Sequence, residues 1–181
     1  MDDVGGRELW TLSRWVMAET TLDVRHQPKV EAWAALRAQL DAILVGAHDD
    51  EARMATIACV LHHGFGFLWT GFYRVVSPTL LRVGSYQGTL GCLEIPFGRG
   101  VCGTAAAEGR TVVVKDVHAF AGHITCDARS RSEVVAPVWN YRRELIAVLD
   151  IDSSVPAAFD DTDADAIEAL LQVFAQPPVS P

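Results

Sequence analysis

The sequence has no run of about 20 apolar residues, the length that a helix needs to cross a membrane. Its first residues, Met1-Asp2-Asp3, lack the basic start and apolar core of a secretory signal. Lysine and arginine are scattered, and the formal net charge of -8 disfavours nucleic acid and anionic membranes as partners. We therefore expect a cytoplasmic protein that binds neither nucleic acid nor membrane.

Cysteine is also scarce, with four residues among 181. In a reducing compartment a cysteine more often serves catalysis or metal binding than a structural disulfide. Zinc sites usually bring two ligands within a few residues of each other. Here the cysteines are far apart, although the gap between His118 and His123 would be permissible. We therefore expect no metal site.

The hydrophobic content indicates a folded protein. Half of the residues are hydrophobic, and 181 residues favour a single domain with an N-terminal helical extension. Apolar residues recur at helical spacing between Val30 and Leu44, and an acidic turn at Asp49 opens a second helix. A last helix is predicted to begin with a cap near Asp160.

Between these helices the composition changes to that of β-strands. Segments rich in aromatic and β-branched residues predict strands at residues 67–76, 80–86, 93–96, 111–114, 133–139 and 144–152. A Gly-rich turn at residues 98–103, followed by small residues, predicts a short and closely packed helix. The order of elements predicts an α+β fold in which N- and C-terminal helices flank a central, mostly antiparallel sheet.

Cys126 is the best candidate for a nucleophile. A thiol becomes reactive when nearby positive charge or backbone donors lower its pKa. Cys126 lies in a polar, Gly-containing loop close to His123, Arg129 and Arg131, although Asp127 would oppose the thiolate. The residues alone allow a reactive thiol and an inert cysteine about equally.

The other cysteines allow more than one interpretation. Cys92 follows a Gly-containing loop, and a redox role for it requires that the fold bring it within disulfide reach of Cys126. Cys102 lies among small residues at the start of a predicted helix, which favours a structural role. Cys59 lies on an apolar helix and is predicted to be a core residue.

Three acids and two aromatic residues form a second group of candidate site residues. Glu133, Asp150 and Asp152 flank apolar strands at their ends, and the last two project from one strand face. Several acids in one cleft suit a ligand ammonium group or proton donation, whereas most surface acids are only solvated. Trp69 and Tyr73 share a strand face; such pairs usually belong to a core and sometimes line a ligand pocket.

Several motifs in fixed order resemble the free methionine-(R)-sulfoxide reductases, enzymes built on a single GAF domain. The resemblance covers roughly residues 50–175. Its motifs are Trp69-Thr70-Gly71-Phe72-Tyr73, Gln87-Gly88, the stretch from Ile95 to Ala105, the stretch from Asp116 to Ile124, Cys126-Asp127, Ser130, Ser132-Glu133 and the stretch from Val148 to Ser153.

The resemblance implies a GAF domain at residues 49–176. Residues 1–48, which the resemblance does not cover, are expected to form the N-terminal helical extension, and residues 177–181 a tail. The resemblance also implies an enzyme that reduces free L-methionine (R)-S-oxide through a cysteine sulfenic acid and an intramolecular disulfide. Thioredoxin would be the reductant, the protein would be a homodimer, and no metal or organic cofactor would be needed. By position in the motifs, the roles implied are nucleophile for Cys126, resolving cysteine for Cys92, second resolving cysteine for Cys102, acids around the substrate for Glu133, Asp150 and Asp152, and an aromatic pocket near the S-methyl group for Trp69 and Tyr73.

Two other functions fit the same fold. One is a GAF sensor that binds a small ligand without chemistry, and the other is a thiol switch whose disulfide regulates a partner. The presence of all three motif cysteines favours the enzyme. Arg129 and Glu94 depart from the family pattern; Arg129 could lower the pKa of Cys126, and Glu94 could disfavour a thiolate on Cys92.

Overall fold

The computed structural model describes residues 21–47 and 49–177, so the first 20 residues of the predicted extension and the last four of the predicted tail lie outside the described residues. The helices and strands are α1 (Lys29–Ile43), α2 (Asp50–Phe65), β1 (Trp69–Ser77), β2 (Leu80–Gly88), β3 (Glu94–Pro96), α3 (Gly100–Glu108), β4 (Val112–Val114), β5 (Ser132–Trp139), β6 (Leu145–Ser153) and α4 (Asp161–Leu171).

The strands form one six-stranded sheet with the order β3-β2-β1-β6-β5-β4, and every neighbouring pair is antiparallel. The predicted α+β fold with an antiparallel sheet between terminal helices is therefore confirmed. Predicted and observed strand ends agree within two residues. β1 begins two residues late because Gly66 ends α2 in the left-handed conformation and residues 67–68 link the two elements.

Alternation along the strands divides the core into two layers. One sheet face packs Phe72, Leu149 and Ile151 against α1, α2 and α4. The opposite face packs Tyr73 and Val148 against α3 and the long loops. Because side chains two apart share a face, Asp150 and Asp152 both lie on the α3 side of the sheet. The candidate site is therefore on that side.

Helix α1 is held firmly against α4. The Trp33 indole N–H donates to Asp163 Oδ1 at 2.8 Å, and the Lys29 ammonium bridges Asp160 and Asp163. Asp160 and Asp163 also form a capping box at the start of α4, which confirms the cap predicted near Asp160. Leu36 and Leu40 of α1 are fully buried in the core between the helices and the sheet, so the described part of the predicted extension contributes directly to that core.

Cys59 was predicted to be a core residue, and this prediction is wrong. The Cys59 thiol is free and half-buried, and it lines a surface groove with Ile43 and Val60. The buried stripe of α2 runs through Ile57, Ala58 and Leu61, and Cys59 lies to one side of it. Among the described residues, no helix has the length and apolar character that a membrane span requires.

Candidate active site

Cys92 and Cys126 form a disulfide, with their Cα atoms 5.5 Å apart. The two cysteines are 34 residues apart in the sequence and belong to the β2–β3 loop and the loop before β5. The condition that the fold bring them within reach is therefore met. Cys126 is exposed and Cys92 is half-buried, so a reductant in solution can approach the bond.

A hydrogen bond joins the same two loops beside the disulfide. The Thr89 hydroxyl donates to Asp127 Oδ2 at 2.6 Å. Arg129 donates to both oxygens of Asp127, and these bonds hold the pKa of that carboxyl well below its usual value. Arg129 is thus paired with Asp127. Across β2 and β3, Glu94 is paired with Arg82, which donates twice to Glu94 Oε1.

Glu133, Asp150 and Asp152 converge at the end of the β5–β6 ladder. Glu133 lies opposite Asp152 in the antiparallel register, and Asp150 follows on the same face. Glu133 and Asp150 are buried, and burial is the main reason that the pKa of each is raised well above its usual value. Burial likewise raises the pKa of Asp152 to about 6, although the Ser130 hydroxyl donates to its Oδ1. The cluster therefore holds protons near neutral pH.

These raised pKa values predict a pH-dependent loss of stability. The unfolded chain gives up its carboxyl protons first, so the free energy of unfolding falls as the pH rises from 3.8, the ordinary value for Asp152, through its folded value of about 6. Over that window the wild type should lose about 2–4 kcal/mol relative to Asp152→Asn. Urea unfolding of both proteins at pH 4 and pH 7.5 measures the change. A difference that stays constant with pH would contradict burial as the cause.

Cys102 is buried beside these acids on the first turn of α3. Its thiol donates to Glu133 Oε1 at 3.9 Å, and burial raises its pKa above the usual range, followed by the charges of Asp150 and Glu133. Gly103 brings this turn close to β3, because a Cβ there would lie 2.3 Å from the Pro96 carbonyl oxygen. The thiol at 102 is therefore neutral and has little contact with solvent.

Ligand atoms of Cys102, Glu133 and Asp150 lie within 4.8 Å of one another, as in a small metal site. Metal binding requires deprotonated ligands. Burial raises the pKa of all three groups, so the trio is better suited to hold protons than a cation.

Trp69 and Tyr73 form an aromatic wall on the same side of the sheet. Their rings are stacked with centroids 5.6 Å apart, and Tyr86 stacks on the other side of Trp69 at 5.3 Å. The Trp69 indole N–H donates to the Thr89 carbonyl, which fixes the ring against the loop that carries Cys92. Only glycine fits at position 71, because a Cβ would lie 2.3 Å from the Cβ of Tyr86. The wall is thus rigid and largely apolar.

These groups surround one cleft. Cys92 is joined to its rim through the disulfide. The other seven residues predicted for the site line it: Trp69, Tyr73, Cys102, Cys126, Glu133, Asp150 and Asp152.

Sequence reasoning did not assign four polar residues that also line the cleft: Arg99, His123, Asp127 and Ser130. Arg99 lies between two glycines ahead of a helix of small residues, and a charged residue in such a turn is a signal that could have been used. The role of Ser130 depends on its hydrogen bond to Asp152, a contact across 22 positions that no local pattern reveals.

Comparison with known proteins gives consistent results. A family model described as the GAF domain matches residues 49–176. The free methionine-R-sulfoxide reductase of Escherichia coli is 40% identical over 144 residues, which cover 79% of this chain and 86% of that protein. The structure of free methionine-R-sulfoxide reductase from Neisseria meningitidis with its substrate is 40% identical, has a TM-score of 0.80, and the match covers 85% of this chain and 92% of that one. The reduced form of the Staphylococcus aureus enzyme is 38% identical with a TM-score of 0.74, over 79% of this chain and 92% of that one.

Proposed function

Because the chain belongs to the GAF-domain family and, within it, to the free methionine-R-sulfoxide reductases, we propose that it reduces free L-methionine (R)-S-oxide to methionine. The observation that carries the proposal is the Cys92–Cys126 disulfide at the rim of a cleft lined with protonated acids. Such a cleft combines a two-electron thiol couple with proton donors.

The first step consumes the sulfoxide. The Cys126 thiolate attacks the sulfoxide sulfur, and a neutral carboxyl of the Glu133, Asp150 and Asp152 cluster donates a proton to the sulfoxide oxygen. The protonated oxygen then moves from the substrate sulfur to the Cys126 sulfur, while the substrate sulfur–oxygen bond and the new sulfur–sulfur bond both break. Methionine leaves as the reduced thioether, and Cys126 is left as a sulfenic acid. The raised pKa values of Glu133 and Asp150 support this role, because an ordinary carboxyl would hold no proton near pH 7.

The second and third steps restore the thiols. The Cys92 thiol condenses with the sulfenic acid of Cys126, releasing water and forming the disulfide. A dithiol protein of the thioredoxin type then reduces the disulfide and is itself oxidised to a disulfide. The exposure of Cys126 supports reduction by a macromolecule. From the family resemblance we also propose thioredoxin as this reductant, a homodimeric assembly and a cytoplasmic location.

Substrate fit follows from the two walls of the cleft. The aromatic wall of Trp69 and Tyr73 offers an apolar surface for the S-methyl group. Ionised members of the acid cluster attract the substrate's ammonium group.

The experiment that tests the function is turnover on resolved sulfoxides. Free L-methionine (R)-S-oxide and its S epimer are each incubated with the reduced protein, thioredoxin, thioredoxin reductase and NADPH. Turnover of the R epimer, with at least about 100-fold lower kcat/KM for S, supports the proposal; that ratio corresponds to about 2.7 kcal/mol of discrimination in the transition state. A sensor or a thiol switch would give no turnover of either epimer.

A further inference from the structure

The charge balance of the cleft leaves part of the proposed substrate without a partner. A free amino acid carries an ammonium group and a carboxylate. Four acids line the cleft, Asp127, Glu133, Asp150 and Asp152, and they repel the carboxylate whenever they are ionised. Arg99 is the single lysine or arginine among the residues that line it.

The guanidinium of Arg99 is uncommitted within the described part of the chain. It makes no ion pair and no side-chain hydrogen bond with any residue of 21–47 or 49–177. By contrast, Arg82 and Arg129 are each paired with an acid nearby. An unpaired guanidinium has all five N–H donors available, in the fork geometry that matches a carboxylate.

The backbone around Arg99 directs this position toward the cleft. Arg99 is the residue that precedes α3, and Gly100 and Val101 of the first turn line the cleft as well. Gly100 has φ +63, a conformation that strains other residues, and a Cβ there would lie 3.2 Å from Ile124. This tight turn places Arg99 and the start of the helix on one wall.

His123 supplies a second, independent observation. Both of its ring nitrogens are buried and have no hydrogen-bond partner among the described residues, and His123 lines the same cleft. Burial lowers the pKa of His123, so the ring is neutral at pH 7 and carries one N–H. That donor lacks an acceptor, and a ligand oxygen would supply one.

We propose that Arg99 binds the α-carboxylate of the substrate, with His123 as a neighbouring donor, and that this contact selects the free amino acid. The inference rests on the proposed reductase function. Methionine sulfoxide inside a peptide has no free α-carboxylate, so it would forgo the ion pair with Arg99.

The test compares the (R)-sulfoxides of L-methionine and L-methioninamide, since the amide removes the negative charge at nearly constant shape. The wild type, Arg99→Gln, Arg99→Lys and the control Arg82→Gln are assayed with a small dithiol, which removes any effect on a protein reductant. Arg82 is an exposed arginine of β2, paired with Glu94, and it does not line the cleft.

Arg99→Gln should raise KM for the free acid about 10- to 100-fold, the value of a charged hydrogen-bonded pair, with kcat nearly unchanged. Its KM for the amide should stay within about 2-fold of the wild-type value, so the preference for the acid disappears. Arg99→Lys should retain part of that preference, because the lysine ammonium keeps the positive charge but lacks the fork geometry of the guanidinium. Arg82→Gln should retain all of it.

The outcomes separate the two proposals. A wild type that turns over the free acid, together with an Arg99→Gln variant that keeps the acid preference, overturns the role of Arg99 and leaves the reductase function intact. A folded and fully reduced wild type that turns over neither compound overturns both. Equal losses for acid and amide in Arg99→Gln would mean a general disturbance of the cleft and would also reject the carboxylate contact.

Discussion

Replacing Cys126 by serine should lower kcat/KM for L-methionine (R)-S-oxide by at least about 1,000-fold, the scale of loss when a covalent nucleophile is removed. A serine hydroxyl is far less ionised and less nucleophilic than a thiol, and it cannot form the sulfenic acid that receives the oxygen. Methionine release measured with a protein dithiol as reductant gives the rate.

The matched control for this prediction is Cys59→Ser. Cys59 is a free, half-buried thiol on α2, and it does not line the cleft. The control should keep wild-type activity. Substantial turnover by Cys126→Ser, in protein whose folding is verified by circular dichroism, would contradict the assignment of the nucleophile.

Replacing Cys92 by serine should allow a first turnover and block those that follow. The variant should release about one methionine per chain in a burst, because attack by Cys126 does not require Cys92. The steady-state rate with a protein dithiol should then fall about 100-fold or more, since no disulfide is available for thiol exchange. The sulfenic acid on Cys126 can be trapped with a 1,3-dione and detected by mass spectrometry.

Continued cycling of Cys92→Ser at the wild-type rate would mean that Cys102 resolves the intermediate. Burial and the raised pKa of the Cys102 thiol argue against that role, because exchange proceeds through the thiolate. Cys102→Ser should therefore keep multiple turnovers, and the double variant should behave like Cys92→Ser.

The sheet and the position of its acids could be predicted because both follow from local periodicity. Asp150 and Asp152 are two residues apart at the end of an apolar run, so the alternation of a β-strand is enough to place them on a common face. Their register opposite Glu133 does not follow from that alternation, because the pairing of β5 with β6 is a long-range contact.

The contacts that define the site depend on distant segments. No local pattern links Cys92 to Cys126 across 34 positions; the family resemblance alone identified the pair. The pairing of Arg129 with Asp127 is a local contact, two residues apart, which sequence reasoning did not assign. Cys59 shows the converse error, because an apolar neighbourhood on a helix does not decide which side of the buried stripe a residue occupies.

The Glu133, Asp150 and Asp152 cluster also makes ligand occupancy and acidity compete with each other. An ammonium group that enters the cleft favours the ionised carboxylates, so its arrival displaces protons into the surrounding buffer. By the same thermodynamic linkage, acidification protonates the carboxylates and weakens the binding of the amino acid. Affinity for any amino-acid ligand is therefore coupled to the proton concentration of its compartment.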